Sequence, residues 1–172
     1  MGHKEIVVLY HADCPDGFGG AFAAWKKFGD DAEYLPVEHG LPPPEHLDGK
    51  EVYIVDFSYP MPVLQELLGK TKKLVVLDHH RGTREAVESV PEHIYDEARS
   101  GAVIAWNYFH PEERVPTLLA YVQEGDLYTF SLPDSRPILA YCYTLPFTFE
   151  SWDALAAKME DTSEIKKITE RG

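Results

Sequence analysis

Short apolar segments rich in β-branched residues alternate with amphipathic segments over the N-terminal part of the chain. Residues 6–10 (IVVLY) form a continuous apolar run, which is typical of a strand buried on both faces of a parallel sheet. Similar runs predict further strands at residues 32–37, 52–57 and 74–77, and a short fifth strand begins at residues 94–95. The pattern therefore predicts about five short strands.

Helices are predicted between these strands and through the C-terminal part. Residues 19–28 (GGAFAAWKKF) indicate a helix rich in small residues, and residues 62–68 indicate a short helix with proline near its start. Further helices are predicted at residues 101–109, 116–123 and 152–171, whereas residues 138–143 are ambiguous. We expect an α/β fold, with an open parallel β-sheet of about five strands, flanking helices in right-handed βαβ units and a helical C-terminal part.

Composition and charge narrow the class of protein. The chain has 172 residues, 44% of them hydrophobic and 26% charged, which excludes a disordered chain, a collagen-like repeat and a long coiled coil. Sixteen Lys and Arg against 29 Asp and Glu give a formal net charge of −13. A surface this acidic repels long polyanions, so we expect no binding of long double-stranded DNA through a basic patch.

The sequence contains no signal peptide and no apolar segment of membrane-spanning length. The two cysteines, Cys14 and Cys142, are too few for a disulfide framework or a thiolate zinc site. We therefore expect a cytoplasmic protein that has no membrane partner.

Ionisable residues follow three of the predicted strands at their carboxyl ends, where open parallel sheets bind ligands. These residues are His11, Asp13, Asp16, Asp56, Asp78, His79 and His80. Four carboxylates crowded there would repel one another by several kcal/mol, and Arg81 is the nearby cationic residue in these segments. A divalent metal ion, or a pair of them, would supply the missing positive charge.

The ligand types indicate which metals suit the site. Imidazole and carboxylate groups without a thiolate cluster suit Mn, Fe, Co, Zn or Mg better than a structural zinc. A carboxylate shared by two metal ions is a common arrangement for phosphate-ester hydrolysis, because the ions activate water and stabilise charge on the phosphorus oxygens. The pattern therefore favours a phosphohydrolase.

Four short motifs follow one another along the chain. They are His11-Ala-Asp13-Cys-Pro-Asp16-Gly, Asp56 in VDFSYP, Asp78-His79-His80 and Gly125-Asp126. In this order they resemble the four motifs of the DHH phosphoesterase superfamily, which includes RecJ-like exonucleases and nanoRNase-like oligoribonucleases, and Asp78-His79-His80 is the motif that names the family. The resemblance spans residues 6 to about 130 and predicts an N-terminal DHH domain with two divalent metal ions, Mn²⁺ first and Mg²⁺ or Co²⁺ as alternatives.

The resemblance implies a role for each matching residue. Asp56 would bridge the two metal ions, with the other ligands drawn from His11, Asp13, Asp16, His79 and Asp126. His11 and one of Asp13 and Asp16 would bind one ion, and the other of these two carboxylates would bind the second ion together with His79 and Asp126. Both aspartates stay open as the ligand beside His11, because His11 and Asp16 stand one residue further apart than is usual in the family. Asp78 would orient an imidazole, and His80 would face the substrate phosphate.

Other residues near the motifs allow more than one interpretation. Arg81 could bind a phosphate bidentately or form a salt bridge. The helix start at Ser100-Gly101 could offer backbone N–H groups to an anion. Asp13 and Asp16 are also common turn residues, and Asp126 could cap a helix. Cys14 is adjacent to the predicted ligands and could itself be a ligand, but we expect it to point away from the metal site as a small apolar group.

The predicted substrate is a small nucleotide or a short oligonucleotide, and a homodimer is allowed. A pyrophosphatase-like hydrolase and a non-catalytic nucleotide-binding module are the alternatives. We expect residues 1–150 to form the metal-binding catalytic domain and residues 151–172 to form a linker helix. By the resemblance, this linker would lead to a C-terminal substrate-recognition domain absent from this chain.

Overall fold

The computed structural model describes residues 4–170, and its centre is a five-stranded parallel sheet. The strands are β1 (Ile6–His11), β2 (Ala32–Val37), β3 (Glu51–Val55), β4 (Lys73–Asp78) and β5 (Glu92–Tyr95). Their order across the sheet is β2-β1-β3-β4-β5, and every neighbouring pair is parallel. The predicted α/β class and the predicted number of strands are confirmed.

In the described part of the chain, eight α-helices flank and extend this sheet. They are α1 (Pro15–Phe28), α2 (Met61–Lys70), α3 (Arg84–Glu88), α4 (Gly101–Phe109), α5 (Thr117–Asp126), α6 (Ser135–Thr144), α7 (Phe149–Met159) and α8 (Thr162–Thr169). Two 3₁₀ turns, Gly29–Asp31 and Arg81–Thr83, complete the set. Within residues 4–170, every helix is too short or too polar to span a lipid bilayer.

The sheet is buried on both faces because its strands consist of consecutive apolar residues. Val8, Val55 and Leu77 point to one face and pack against a core formed with α1 and α4–α8. The alternate residues Leu9 and Ile54 point to the other face and pack under α2 and α3. This two-sided packing fixes the carboxyl ends of β1, β3 and β4 relative to one another.

The C-terminal segment packs onto the same core. The Trp152 ring lies edge-on to Phe18 of α1, with centroids 4.9 Å apart, and Ile168 of α8 is also buried. The segment forms two helices, because α7 ends at Met159 and Asp161 caps α8. Arg171, the end of the predicted helical tail, lies outside the described residues, and the expected linker to a further domain stays a prediction.

The strand order places a topological switch point between β1 and β3. From β1 the chain passes to β2 on one side of it, and β3, β4 and β5 follow on the other side. In doubly wound sheets with this order, the crevice at the carboxyl ends of the two strands is the usual ligand site. His11 ends β1 and Asp56 directly follows β3, so both residues lie at this crevice.

Candidate metal centre

The carboxyl edge of the sheet gathers most of the predicted metal ligands. His11 ends β1, Asp56 follows β3 and His79 follows β4, while Asp16 lies in the first turn of α1 and Asp126 ends α5. Their ligand atoms fall into groups whose members all lie within 4.8 Å of one another. These groups are His11/Cys14/Asp56, Asp16/His79/Asp126 and Asp56/Asp78/His79/His80.

Asp56 lies between two of the histidines. Its Oδ2 is 3.5 Å from His11 Nδ1, and its Oδ1 is 3.2 Å from His79 Nε2. The backbone of Asp56 is left-handed, with φ of 64°, which is unusual for a non-glycine residue and is often found at functional sites. The two oxygens of one buried carboxylate thus face two different sets of donors.

His79 is surrounded by carboxylates on the inner side of the site. Its Nε2 lies 3.7 Å from Asp16 Oδ2 and 3.5 Å from Asp126 Oδ2, in addition to its contact with Asp56. Asp16 and Asp56 are fully buried, and the Asp126 side chain is largely buried. One imidazole therefore meets three carboxylates in a region that excludes most water.

The pKa of Asp16 reflects its burial and the crowding of carboxylates around it. Burial, together with the nearby carboxylates of Asp56 and Asp126, raises the pKa of Asp16 well above its usual value. Burial also acts to raise the pKa of Asp56, but hydrogen bonds with His11 and His79 outweigh it and lower that pKa to about 2. A divalent cation would relieve the repulsion, and this mixed carboxylate–imidazole donor set suits one.

Asp16 has a structural role as well. Its Oδ2 accepts a hydrogen bond of 2.6 Å from the backbone N–H of Gly101, and its Oδ1 accepts one of 3.0 Å from Ala102. The N-terminus of α4 was predicted to offer its N–H groups to an anion, and in the structure the carboxylate of Asp16 occupies them. This contact fixes the orientation of the Asp16 side chain.

Asp78 and His80 form a hydrogen-bonded pair within the third ligand group. Asp78 Oδ1 lies 2.7 Å from His80 Nδ1 and accepts the backbone N–H of His79 at 2.8 Å, while its Oδ2 accepts a hydrogen bond of 2.5 Å from Thr83 Oγ1. The hydrogen bond to Asp78 raises the pKa of His80 to about 9, so His80 carries a proton near neutral pH. Because its oxygens are already occupied, Asp78 is suited to orienting His80.

Two predicted site residues lie apart from this cluster. Asp13 is exposed and belongs to none of the three ligand groups found within residues 4–170. The side chain of Arg81 is 88% exposed, and its Nε is 2.7 Å from the Glu97 carboxylate. Arg81 was predicted either to bind a phosphate or to form a salt bridge, and in the structure it forms a salt bridge with Glu97.

Cys14 lies closer to the candidate metal centre than expected, and Asp126 does not have the alternative role of a helix cap. Cys14 was expected to point away, but its sulfur belongs to the ligand group of His11 and Asp56. Burial raises the pKa of the Cys14 thiol to about 11, so without a metal ion it stays protonated. Asp126 ends α5 instead of capping a following helix.

Thr83 is a site residue that the sequence did not indicate. Its hydroxyl, in the 3₁₀ turn Arg81–Thr83, donates to the side chain of Asp78, and the backbone carbonyl oxygen of His80 lies 2.8 Å from the same hydroxyl oxygen. A threonine five residues after an aspartate is too common to signal such a contact. Its role depends on the tight turn that follows β4.

Two cavities adjoin the cluster. A cavity of about 210 Å³ is lined by Asp16, Asp126 and Tyr143, among others. A larger pocket of about 540 Å³ begins at Phe57, directly after Asp56, and extends past Thr83. The carboxyl edge of the sheet therefore has room for a small molecule beside the candidate metal ligands.

Comparison with known proteins identifies related chains. No family model matches this chain. An uncharacterized protein of Acanthamoeba polyphaga mimivirus is 32% identical over 164 residues, a match that covers 86% of this chain and 39% of the viral protein. The crystal structure of an uncharacterized protein from Helicobacter pylori is similar with a TM-score of 0.65 at 15% identity, over 81% of this chain and 48% of that one. The chain thus spans less than half the length of either protein, and the structural likeness shows a shared fold.

Proposed function

We propose that this protein is a phosphohydrolase of the DHH phosphoesterase superfamily, which uses two divalent cations to cleave phosphodiester or phosphate bonds in small nucleotides or short oligonucleotides. The main support is the position of Asp56, whose two oxygens face His11 on one side and His79 on the other. A carboxylate between two donor sets is the arrangement that a two-metal site requires. Each of the four DHH-like motifs contributes at least one of the proposed ligands, among them His11, Asp56, His79 and Asp126.

The donor sets assign ligands to each ion. His11 and Asp56 would hold the first ion, with Cys14 beside them as a further donor. Asp16, Asp56, His79 and Asp126 would hold the second. Bound ions of this kind lower the pKa of water and neutralise charge that develops on a phosphate. Mn²⁺ is the favoured metal, with Mg²⁺ and Co²⁺ as alternatives.

His80 is the residue that we assign to the substrate. Its side chain is half-exposed beside the ligand cluster, Asp78 orients it, and the hydrogen bond to Asp78 raises the pKa of His80 in the metal-free chain. A protonated imidazole can hydrogen-bond a phosphate oxygen or donate a proton to the leaving oxygen. Asp78 acts through His80 as a positioning residue.

The net charge of −13 favours small substrates. A long nucleic-acid strand would meet repulsion over most of this surface, whereas a dinucleotide meets only the site and its surroundings. Small phosphodiesters are therefore preferred over long single strands.

A substrate panel tests this proposal. The protein, stripped of metal and resupplied with Mn²⁺, is assayed on a dinucleotide, bis(p-nitrophenyl) phosphate and pyrophosphate. We expect dinucleotide hydrolysis that EDTA abolishes and that Asp56→Asn lowers by roughly 10²-fold or more. Asp48→Asn, at an exposed loop position, is the matched control and should leave the rate unchanged.

The panel also separates the alternatives. Turnover of pyrophosphate alone would indicate the pyrophosphatase-like activity in place of the diesterase. Binding of Mn²⁺ and nucleotide without turnover of any substrate would indicate the non-catalytic module, and it would overturn the proposed function.

A further inference from the structure

Two aromatic side chains stand in an unusual backbone conformation just after Asp126. Tyr128 has φ of 56° and Phe130 has φ of 48°, both in the left-handed region that side chains with a Cβ rarely adopt. Their rings meet edge to face with centroids 4.7 Å apart, and Tyr128 is 74% exposed. A largely exposed tyrosine ring and a half-buried phenylalanine ring on a loop with left-handed backbone suggest a functional role for this loop.

A buried carboxylate holds this loop in place. Glu124 Oε1 accepts hydrogen bonds from the hydroxyls of Thr129 (3.0 Å) and Ser131 (2.9 Å). Its Oε2 accepts the backbone N–H groups of Ser131 and Leu132. The residues that these bonds hold lie beside Phe130 in the sequence, so Glu124 fixes the backbone that carries the Tyr128 and Phe130 rings.

Arg136 from α6 adds positive charge to the two rings. Its guanidinium lies 4.0 Å from the centroid of the Phe130 ring and 5.9 Å from that of Tyr128. Within residues 4–170, Arg136 forms no salt bridge, although the chain carries a net charge of −13. We call Tyr128, Phe130 and Arg136 the aromatic platform.

Tyr128 of the aromatic platform closely follows Asp126, a ligand of the candidate metal centre, along the chain. Tyr128 is two residues from Asp126, so their Cα atoms are separated by at most about 7 Å. The Asp126 carboxylate in turn lies 3.5 Å from His79 Nε2. A group stacked on the platform could therefore belong to the same small molecule as a phosphate at the metal centre.

We infer that the aromatic platform binds a nucleobase of the substrate by stacking, with Arg136 attracting the adjoining phosphate. This inference rests on the proposed function, and it specifies the part of the substrate that the chain recognises. Aromatic rings paired with arginine are the usual means of binding unpaired bases, and such stacking tolerates any base. The ligand class is thus a nucleotide with an unpaired base, recognised without strict base preference.

A fluorescent dinucleotide tests the inference independently of hydrolysis. A dinucleotide that contains 2-aminopurine loses fluorescence when its base stacks on an aromatic ring. We expect quenching by the wild-type protein, about ten-fold weaker binding by Tyr128→Ala and by Phe130→Ala, and near wild-type binding by Tyr128→Phe. Met61→Ala, which removes an exposed apolar side chain from the start of α2, is the matched control.

Hydrolysis kinetics give a second readout. The KM of the dinucleotide is compared with the KM of an analogue that lacks one base. In the wild-type protein the analogue should have the higher KM, and in Tyr128→Ala we expect the ratio of the two KM values to fall about ten-fold. Quenching that depends on Tyr128 in a protein without hydrolytic activity would support the platform while overturning the proposed function.

Other results would overturn the inference itself. The inference is wrong if wild type, Tyr128→Ala and Phe130→Ala bind the 2-aminopurine dinucleotide equally and have equal KM values. It is also wrong if the wild-type protein is a dimer that Tyr128→Ala converts to a monomer, because the rings would then pack against a second copy of the chain.

Discussion

Gly101 lies so close to Asp56 that a Cβ atom on Gly101 would be 2.6 Å from the Asp56 Cβ and 2.7 Å from its Oδ1. Gly101 begins α4, where alanine would otherwise favour the helix by about 1 kcal/mol. The absence of a side chain at this position therefore lets α4 reach the candidate metal centre and bind Asp16.

Gly101→Ala should displace Asp56 and weaken metal binding. Overpacking of this kind costs about 1–3 kcal/mol of stability, which exceeds the gain in helix propensity. Gly69→Ala in α2 is the matched control, because a Cβ there meets nothing within 4 Å and should stabilise the protein slightly. Thermal unfolding with and without Mn²⁺ measures both effects, and equal behaviour of the two variants would contradict the account.

Asp16→Asn and Asp13→Asn should differ sharply. Asp16 is buried between His79 and the N-terminus of α4, whereas Asp13 is exposed and outside the ligand groups of the described chain. We expect Asp16→Asn to lower Mn²⁺ affinity by at least roughly ten-fold and Asp13→Asn to change it little. Calorimetric Mn²⁺ titration of both variants decides between these two aspartates, and the reverse order would assign the ligand to Asp13.

The sequence predicted the elements with local signals more accurately than the side-chain contacts between them. Helix α4 was predicted with its observed bounds, because an apolar run begins at a Ser-Gly cap and ends before a proline-containing loop. Helix α1 begins at Pro15, four residues before the predicted start, because a loop was assigned to the first motif. Residues 138–143 were ambiguous, since a short run of apolar and aromatic residues suits either a strand or a helix.

The sequence predicted only those site residues whose positions are determined by the carboxyl ends of the strands. Strand ends predicted that His11, Asp56 and His79 lie together. They could not predict that Asp16 faces inward, because that depends on its hydrogen bonds to an element 85 residues further along the chain. The pairing of Arg81 with Glu97 likewise depends on a tertiary contact.

The metal-free protein should lose stability in a defined alkaline range. Asp78 raises the pKa of His80 from 6.5 to about 9 in the folded state. The resulting stabilisation is fully present below pH 6.5 and disappears as the pH rises through about 9. Urea unfolding of wild type and His80→Asn between about pH 6 and pH 10 isolates this contribution, and a stability difference that does not change with pH would contradict it.

His79→Ala and His80→Ala should separate metal binding from turnover. His79 meets three carboxylates of the cluster, so its loss should weaken Mn²⁺ binding. His80 binds Asp78 and faces outward, so its loss should leave Mn²⁺ affinity intact and lower kcat by roughly 10²-fold or more. Loss of metal from His80→Ala with retention by His79→Ala would mean that the two roles are reversed.

Calorimetric titration of the metal-free protein with Mn²⁺ tests the central claim most directly. We predict about two ions per chain, and at a free concentration of about 100 times Kd each should add about 2.7 kcal/mol of stability. For a domain of this size, one such ion raises Tm by about 5–10 °C. Asp56→Asn should abolish the paired binding, because this residue faces both donor sets. A wild-type protein that takes up no Mn²⁺ and shows no rise in Tm would contradict the account.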